Sequence, residues 1–317
     1  MALGHEDVAV GCWTCDDPPT GCTVVLPPAG TLGAVAVRGA APGTREAVAL
    51  GPNGKLTVCH AVVLAGGSAF GLAAADGVVA WLEERGVGYP VGQPEPVARV
   101  PIVGAAIVLD AAVAVPHARP GPDAGRAACE QATTADPPEG GVGVGAGCMV
   151  AKVGGLAHAW RGGQGIAVRR AGDVVVGALV ANNAVGEVFD EDGRPLAASR
   201  AGHGTPRYPY DPDAIAGQRA DAGGPTGSTV LGCVVTNARL LKSDACRVAD
   251  LAHSGIARAV RPAHTQLDGD ALFCLATGEV DATVDLLATL AAEAVADACR
   301  RGVRAAVSRH GVPGLAG

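Results

Sequence analysis

The stretch 224–237 constrains this chain most: Gly-Pro-Thr-Gly runs into Ser228 and Thr229 and then directly into Val-Leu-Gly-Cys-Val-Val-Thr-Asn. Glycine and proline punctuate turns, and the apolar run beyond them is short, rich in β-branched residues and of strand length. The pattern sets a hydroxyl at the mouth of a buried strand. Two readings fit. In one, Ser228 and Thr229 only begin the strand, as hydroxyl residues do in turns. In the other, the chain cuts itself here, and the hydroxyl residue becomes an N-terminus whose own amine serves as base for its side chain.

A second segment, Thr265-Gln266-Leu267-Asp268-Gly269-Asp270, leads into a strand-like run at 271–276. Residues two apart in an extended segment share a face, so Asp268 and Asp270 present both carboxylates on one side. Carboxylates that close repel, which raises the pKa of one and lets it pass protons near neutrality. A tight Asp-Gly turn is the alternative.

With 317 residues the chain has room for one large domain or two ordinary ones. Its 49% hydrophobic and 17% charged content excludes disorder. The net charge of −7, with both signs interspersed, lacks the basic footprint that nucleic-acid binding needs. No apolar run reaches the ~20 residues of a membrane span uninterrupted. The first seven residues lack the basic and apolar regions of a signal peptide, so a cytoplasmic address is expected. The ten cysteines are scattered, and those in apolar runs, such as Cys233 and Cys274, read as small core residues. Cys12-Trp13-Thr14-Cys15 is a single CxxC without a second pair, a weak metal or redox signal.

Strand-like runs occur at 22–26, 32–38, 60–64, 101–109, 142–150, 173–181, 230–236 and 271–276. Three helices are predicted: one capped by Ser68 and stopped at Gly86, one over 244–260 with Val248, Leu251, Ala252, Gly255, Ile256 and Ala259 on one face, and an alanine-rich one over 284–307. This order suggests two sheets between helix layers. The Gly-, Pro- and Asp-rich stretch 202–226 reads as a surface loop leading to the candidate cut.

Several segments resemble, in order and spacing, the autoprocessing amide hydrolases of the DmpA type, which include L-aminopeptidase/D-esterases, β-peptidyl aminopeptidases and nylon-oligomer endohydrolases. They are Ala-Gly-Gly-Ser-Ala-Phe-Gly-Leu at 65–72, Trp-Leu-Glu-Glu-Arg-Gly at 81–86, Asn-Ala-Val-Gly at 183–186, Ser228-Thr229 through Thr236-Asn237, and Arg-Pro-Ala-His-Thr at 261–265 through Asp268-Gly269-Asp270. The resemblance implies a four-layer αββα sandwich like that of N-terminal nucleophile hydrolases. It implies cleavage between Ser228 and Thr229, giving an α chain 1–228 and a β chain 229–317 that begins with the nucleophile, Thr229. Lys152 is similar to the family lysine beside the nucleophile. Asn183 is similar to the asparagine that donates to the oxyanion, with Asn182 as the neighbour one register away. Asp268 and Asp270 would orient the amine and shuttle protons.

The Asp-Gly-Asp element is similar to that of the nylon-oligomer hydrolases, whereas strict aminopeptidases carry a Ser-Gly-Glu-like one. The segments at 66–71 and 81–86 look more like the general peptidases. The implied substrates are small linear amides, 6-aminohexanoate oligomers or short peptides, with a strict aminopeptidase as the alternative. No metal or organic cofactor, nucleic acid or membrane is implied; assembly into a homotetramer is.

Two readings from other classes remain. Ser68 follows a strand-like run, as a serine hydrolase nucleophile would, but a nucleophile elbow needs G-x-S-x-G and Phe70 takes the last glycine position. The alternating glycines at 141–147 lack the preceding strand of a dinucleotide-binding turn; they read better as places where backbones pack closely or line a cleft.

Overall fold

A computed structural model describes residues 1–92, 94–202 and 227–317. All of the expected surface loop except Gly202 lies outside the described residues. Ten strands form two five-stranded sheets. The first contains β1 (Ala9–Asp16), β2 (Pro19–Leu26), β4 (Thr44–Arg45), β5 (Ala61–Ala65) and β6 (Val103–Ile107), in the order β1-β2-β5-β6-β4. The second contains β3 (Leu32–Val37), β7 (Gly163–Ala171), β8 (Val174–Asn183), β9 (Thr229–Ala238) and β10 (Ala271–Val280), in the order β7-β8-β9-β10-β3. Four helices cover the outer faces: α1 (Ala74–Glu83), α2 (Pro122–Glu130), α3 (Lys242–Ala259) and α4 (Val284–Arg304).

Strand alternation builds the layers. Along β9, Leu231, Cys233 and Val235 pack between the sheets with Val62 and Leu64 of β5 and Phe273 of β10. Val230 and Val234 point the other way, onto α3 and α4 with Val248, Ile256 and Val295. In β5, Ala61, Val63 and Ala65 likewise face Ala74, Val78 and Ala128 of α1 and α2. Both faces of the central strands are buried, so they read as near-continuous apolar runs. The expected αββα sandwich is what forms.

Strands 142–150 and the Ser68 cap are corrected. Only Met149–Val150 is extended there; Gly143–Gly145 makes a 3-10 turn, Gly143 having φ 52°. A Cβ on Gly145 would meet the Gln164 nitrogen at 2.2 Å, and one on Gly147 the Pro19 oxygen at 2.6 Å, so these glycines do allow close backbone packing. Ser68 does not cap a helix: it lies inside a 3-10 turn, Ser68–Ala73, in the left-handed region at φ 58°, and Gly67 precedes that turn. Gly86, at φ 67°, does stand where α1 stops. β1, whose outer half alternates half-buried Trp13 and Cys15 with exposed Thr14 and Asp16, is not among the expected runs, nor are β4 and β7. In β7, Gly165 takes the place of a side chain because a Cβ would meet the Ala298 carbonyl of α4 at 2.2 Å. No helix among the described residues is long and apolar enough to cross a membrane.

Candidate active site

Thr229 is the first residue of β9 and shares the parity of Leu231, so it stands at the rim of the space between the sheets. Antiparallel pairing with β8 sets Asn183 directly opposite it. Parallel pairing with β10 brings Asp268 alongside Ser228. Three segments remote in sequence meet at one strand end because strand register, once fixed by the buried face, fixes every neighbour.

The Ser228–Thr229 peptide is held on both sides. The Thr229 hydroxyl donates to the Ser228 carbonyl oxygen at 2.5 Å, and the Gly269 N–H donates to the same oxygen at 2.8 Å. Ser228 N–H in turn donates to the Leu267 carbonyl at 3.2 Å. Gly269 is a glycine for a steric reason: a Cβ there would lie 2.6 Å from the Ala41 oxygen and 3.0 Å from Thr229 Oγ1. Gly39 is similarly forced, because its Cβ would strike the main chain of Asp268 and Asp270. The Ala41 N–H ties down the Asp268 carbonyl, and the Arg38 N–H that of Asp270.

Both aspartates are buried, each 1% exposed, but they do different things. Asp268 Oδ2 accepts from the Thr265 N–H at 2.9 Å and its hydroxyl at 2.6 Å. Burial first, then the charge of Asp270, pushes the Asp268 carboxyl above its ordinary value, while the Thr265 bonds pull it down. Asp270 Oδ1 accepts from the Val230 N–H at 2.6 Å, which fastens it to the residue after Thr229. Its Oδ2 faces His264, whose Nδ1 is 2.7 Å away.

Lys152 is 3% exposed and donates to the Asn183 carbonyl at 2.7 Å, to Asn183 Oδ1 at 3.3 Å and to the Gly227 carbonyl at 3.4 Å. Burial lowers its pKa to about 8, against the weaker pull of Cys148 and Asp268. Asn183 Oδ1 also accepts the Met149 N–H at 2.9 Å, and Nδ2 donates to the Leu109 carbonyl at 3.0 Å. Asn182 faces away, its Nδ2 reaching the Cys299 carbonyl in α4 at 3.3 Å. Thr229, Asn183, Lys152, Asp268 and Asp270 therefore form one cluster with Ser228, and Asn182 stands outside it.

Among the described residues no hydrogen bond joins the Ser68 hydroxyl to a base. Its turn is instead braced by Asp110, a buried carboxyl raised by desolvation that accepts from Gly67 N–H at 3.0 Å and Thr20 Oγ1 at 2.7 Å. Sequence reasoning missed Asp110, His264 and the Gly269 amide. His264 lay in a segment already singled out, but only its contact with Asp270 gives it a part. Cys148 and Cys274 are pushed up to about 12 by burial, as core thiols. No group of three His, Cys, Asp or Glu side chains suited to a metal occurs among the described residues.

The model of peptidase family S58 matches residues 5–315. An uncharacterized aminopeptidase of Mycobacterium leprae is 42% identical over 295 residues, covering 89% of this chain and 78% of the relative. A 6-aminohexanoate-oligomer endohydrolase of Agromyces sp. is 33% identical over 287 residues, covering 89% of this chain and 76% of the relative. Among solved structures, a Burkholderia sp. β-aminopeptidase superposes with a TM-score of 0.71 at 23% identity over 97% of this chain and 88% of its own. The L-aminopeptidase D-Ala-esterase/amidase of Ochrobactrum anthropi, described as a variant of the Ntn hydrolase fold, does so with a TM-score of 0.72 at 19% identity over 98% and 87%.

Proposed function

The chain belongs to peptidase family S58 and is an amide-bond hydrolase, and we propose that it works as an N-terminal threonine hydrolase made by its own cleavage between Ser228 and Thr229. One observation carries this reading: the Thr229 hydroxyl and the Gly269 N–H converge on the carbonyl oxygen of that peptide bond, at 2.5 and 2.8 Å. In the self-cleavage step Thr229 Oγ1 attacks the Ser228 carbonyl carbon while the Gly269 N–H receives the developing negative charge. The C–N bond breaks, the released amine takes the hydroxyl proton, and water hydrolyses the resulting ester to leave the Ser228 carboxylate and a free Thr229 amine. Chains 1–228 and 229–317 then form one hydrolase domain.

In the mature enzyme that amine, with a reference pKa of about 7.7–8.0, accepts the Thr229 hydroxyl proton. Thr229 attacks a substrate amide. The Asn183 side-chain amide, released from Leu109, and a main-chain N–H hold the oxyanion; such a donor is worth about 3 kcal/mol. The amine returns the proton to the leaving nitrogen, and water repeats the cycle on the acyl-enzyme. Asp270 fixes the nucleophile strand, and Asp268, raised by burial, exchanges protons with the amine. All of these steps run on side-chain and main-chain groups of this chain.

The substrates we propose are linear amides, 6-aminohexanoate oligomers or short peptides, on the strength of the Asp268-Gly269-Asp270 element. A strict aminopeptidase is favoured instead by the mycobacterial relative, which bears the name aminopeptidase and is the more similar at 42% identity. A panel of free and amino-blocked oligomers separates the two. Turnover of blocked oligomers supports the first, and a strict need for a free amine the second. On a denaturing gel the purified protein is expected to give two bands, the smaller beginning at Thr229 by N-terminal sequencing; a different first residue overturns the assignment.

Gly269→Ala tests the self-cleavage geometry. Its methyl group would press on Thr229 Oγ1 and the Ala41 carbonyl, and such crowding of a reacting pair is expected to slow the cut by about 10²-fold. Cleavage at the wild-type rate, followed over time on gels, would show that the close approach of residue 269 to Thr229 Oγ1 does not govern this step.

A further inference from the structure

We propose that His264 is a positioning residue of this site: its ring holds Asp270, and through Asp270 the start of the strand that carries Thr229. The inference rests on Thr229 being the nucleophile. His264 adopts a left-handed backbone conformation at φ 57°, unusual for a residue with a side chain. Such strain persists only where the surroundings impose it.

What imposes it is a convergence on one oxygen. The His264 N–H and its ring Nδ1 both reach Asp270 Oδ2, at 3.2 and 2.7 Å. The other oxygen, Oδ1, takes the Val230 N–H at 2.6 Å. The carboxylate is thus a bracket with one arm on the 264 turn and one on the residue following Thr229. Because a carboxylate only accepts, the ring must carry its proton on Nδ1 to make this bond.

The far side of the ring packs against His253 of α3: the two imidazoles meet edge to face with centroids 5.0 Å apart, and His264 Nε2, which can donate only when the ring carries a second proton, lies 3.4 Å from the His253 carbonyl. His253 is fully buried, with its pKa lowered to about 4 by burial, so it packs as a neutral ring. Its own Nε2 is 3.1 Å from the Ala36 carbonyl of β3. A continuous row of contacts therefore runs from β3 through α3 and the 264 turn to Asp270 and β9. Among the described residues no hydrogen bond joins His264 to Thr229 or to the scissile peptide, so it acts on the reaction through Asp270.

Three substitutions separate the ring's role from the backbone's. His264→Gly suits the left-handed backbone and removes only the ring, whereas His264→Asn tolerates the same backbone and keeps an N–H donor near the Nδ1 position. His264→Gly is expected to lower both the self-cleavage rate and kcat by about 10²-fold, the scale of a 1 Å misplacement, with little change in KM or in thermal midpoint. His264→Asn is expected to restore most of both rates. Ring nitrogen NMR of the wild type should find the His264 proton on Nδ1. A His264→Gly enzyme with wild-type kcat, a His264→Asn enzyme as slow as the glycine variant, or an unprotonated Nδ1 would each overturn the proposal. His264→Phe, measured beside them, fills the space without donating, and wild-type rates in it would also overturn the proposal. If Thr229→Ala hydrolyses amides, the nucleophile reading fails; if that variant is inactive and His264→Gly is unimpaired, only the present inference fails.

Discussion

Thr229→Ala is expected to leave the 317-residue chain in one piece and without amide hydrolysis. The substitution removes a hydroxyl and a methyl group at a position 4% exposed, and among the described residues the hydroxyl's hydrogen bond is to the adjacent carbonyl. The strand pairing of β9 with β8 and β10 uses main-chain groups, so the fold should survive with a loss of about 1–2 kcal/mol. The chemistry should not survive. Removing the nucleophile of a covalent mechanism costs on the order of 10⁶-fold in rate, beyond what a gel or a steady-state assay would detect as residual activity. Thr229→Ser keeps an oxygen in place and is expected to retain both reactions at reduced rates. An alanine variant that still appears as two bands, or still turns over amides, would place the nucleophile elsewhere.

The second large effect is expected at Lys152. Its ammonium is buried against two carbonyls and an amide oxygen, with a pKa lowered to about 8 by desolvation. Above that value the amine is neutral and able to accept protons. Lys152→Met keeps the length of the chain and discards the amine; it is expected to lower kcat by about 10²–10⁴-fold, the range of a general acid–base group. Wild-type turnover is expected to rise with pH through about 8, but the freed Thr229 amine titrates in the same region.

The uncut Thr229→Ala chain removes that ambiguity, since it has no amine at 229. A lysine whose pKa falls from 10.5 unfolded to about 8 folded binds fewer protons in the native state across that window. Lys152 by itself therefore makes the uncut chain more stable as pH rises from about 8 to 10.5, the penalty for burying its charge being fully present below 8, while the buried thiols of Cys148 and Cys274, pushed up to about 12, act in the opposite direction there. Adding Lys152→Met should remove the upward share, so that the stability difference between the two uncut chains changes across this window. Thermal midpoints measured across the window decide the matter: an unchanged slope would mean that Lys152 titrates as an ordinary surface amine.

The layers and the strand end that carries Thr229 were legible in the sequence because central strands buried on both faces write themselves as apolar runs. The 230–236 and 271–276 runs fall inside β9 and β10, and 244–260 nearly coincides with α3. The 142–150 run misled because alternating glycine and apolar residues imitate a strand, while Gly143 in fact turns at positive φ. Within the site, Asp268 and Asp270 could be marked by residue type, but the division between them could not. It depends on Thr265 bonding one carboxylate and on Val230 and His264 bonding the other. The Gly269 amide left no mark, since every residue but proline has one. Lys152 and Asn183 came only through family resemblance, because their meeting depends on the pairing of β8 with β9 and on the loop after Met149.

The cross-strand partnership of Asn183 with Thr229 works as a ruler built into the sheet. The linking segment between those strands can lengthen, shorten or change composition over generations without altering how far apart the two side chains sit. A slip of a single position within either strand, by contrast, would swap in Asn182, which faces α4. Diversification of such enzymes should accordingly concentrate in the connection and spare the eight-pair ladder that gauges the chemistry.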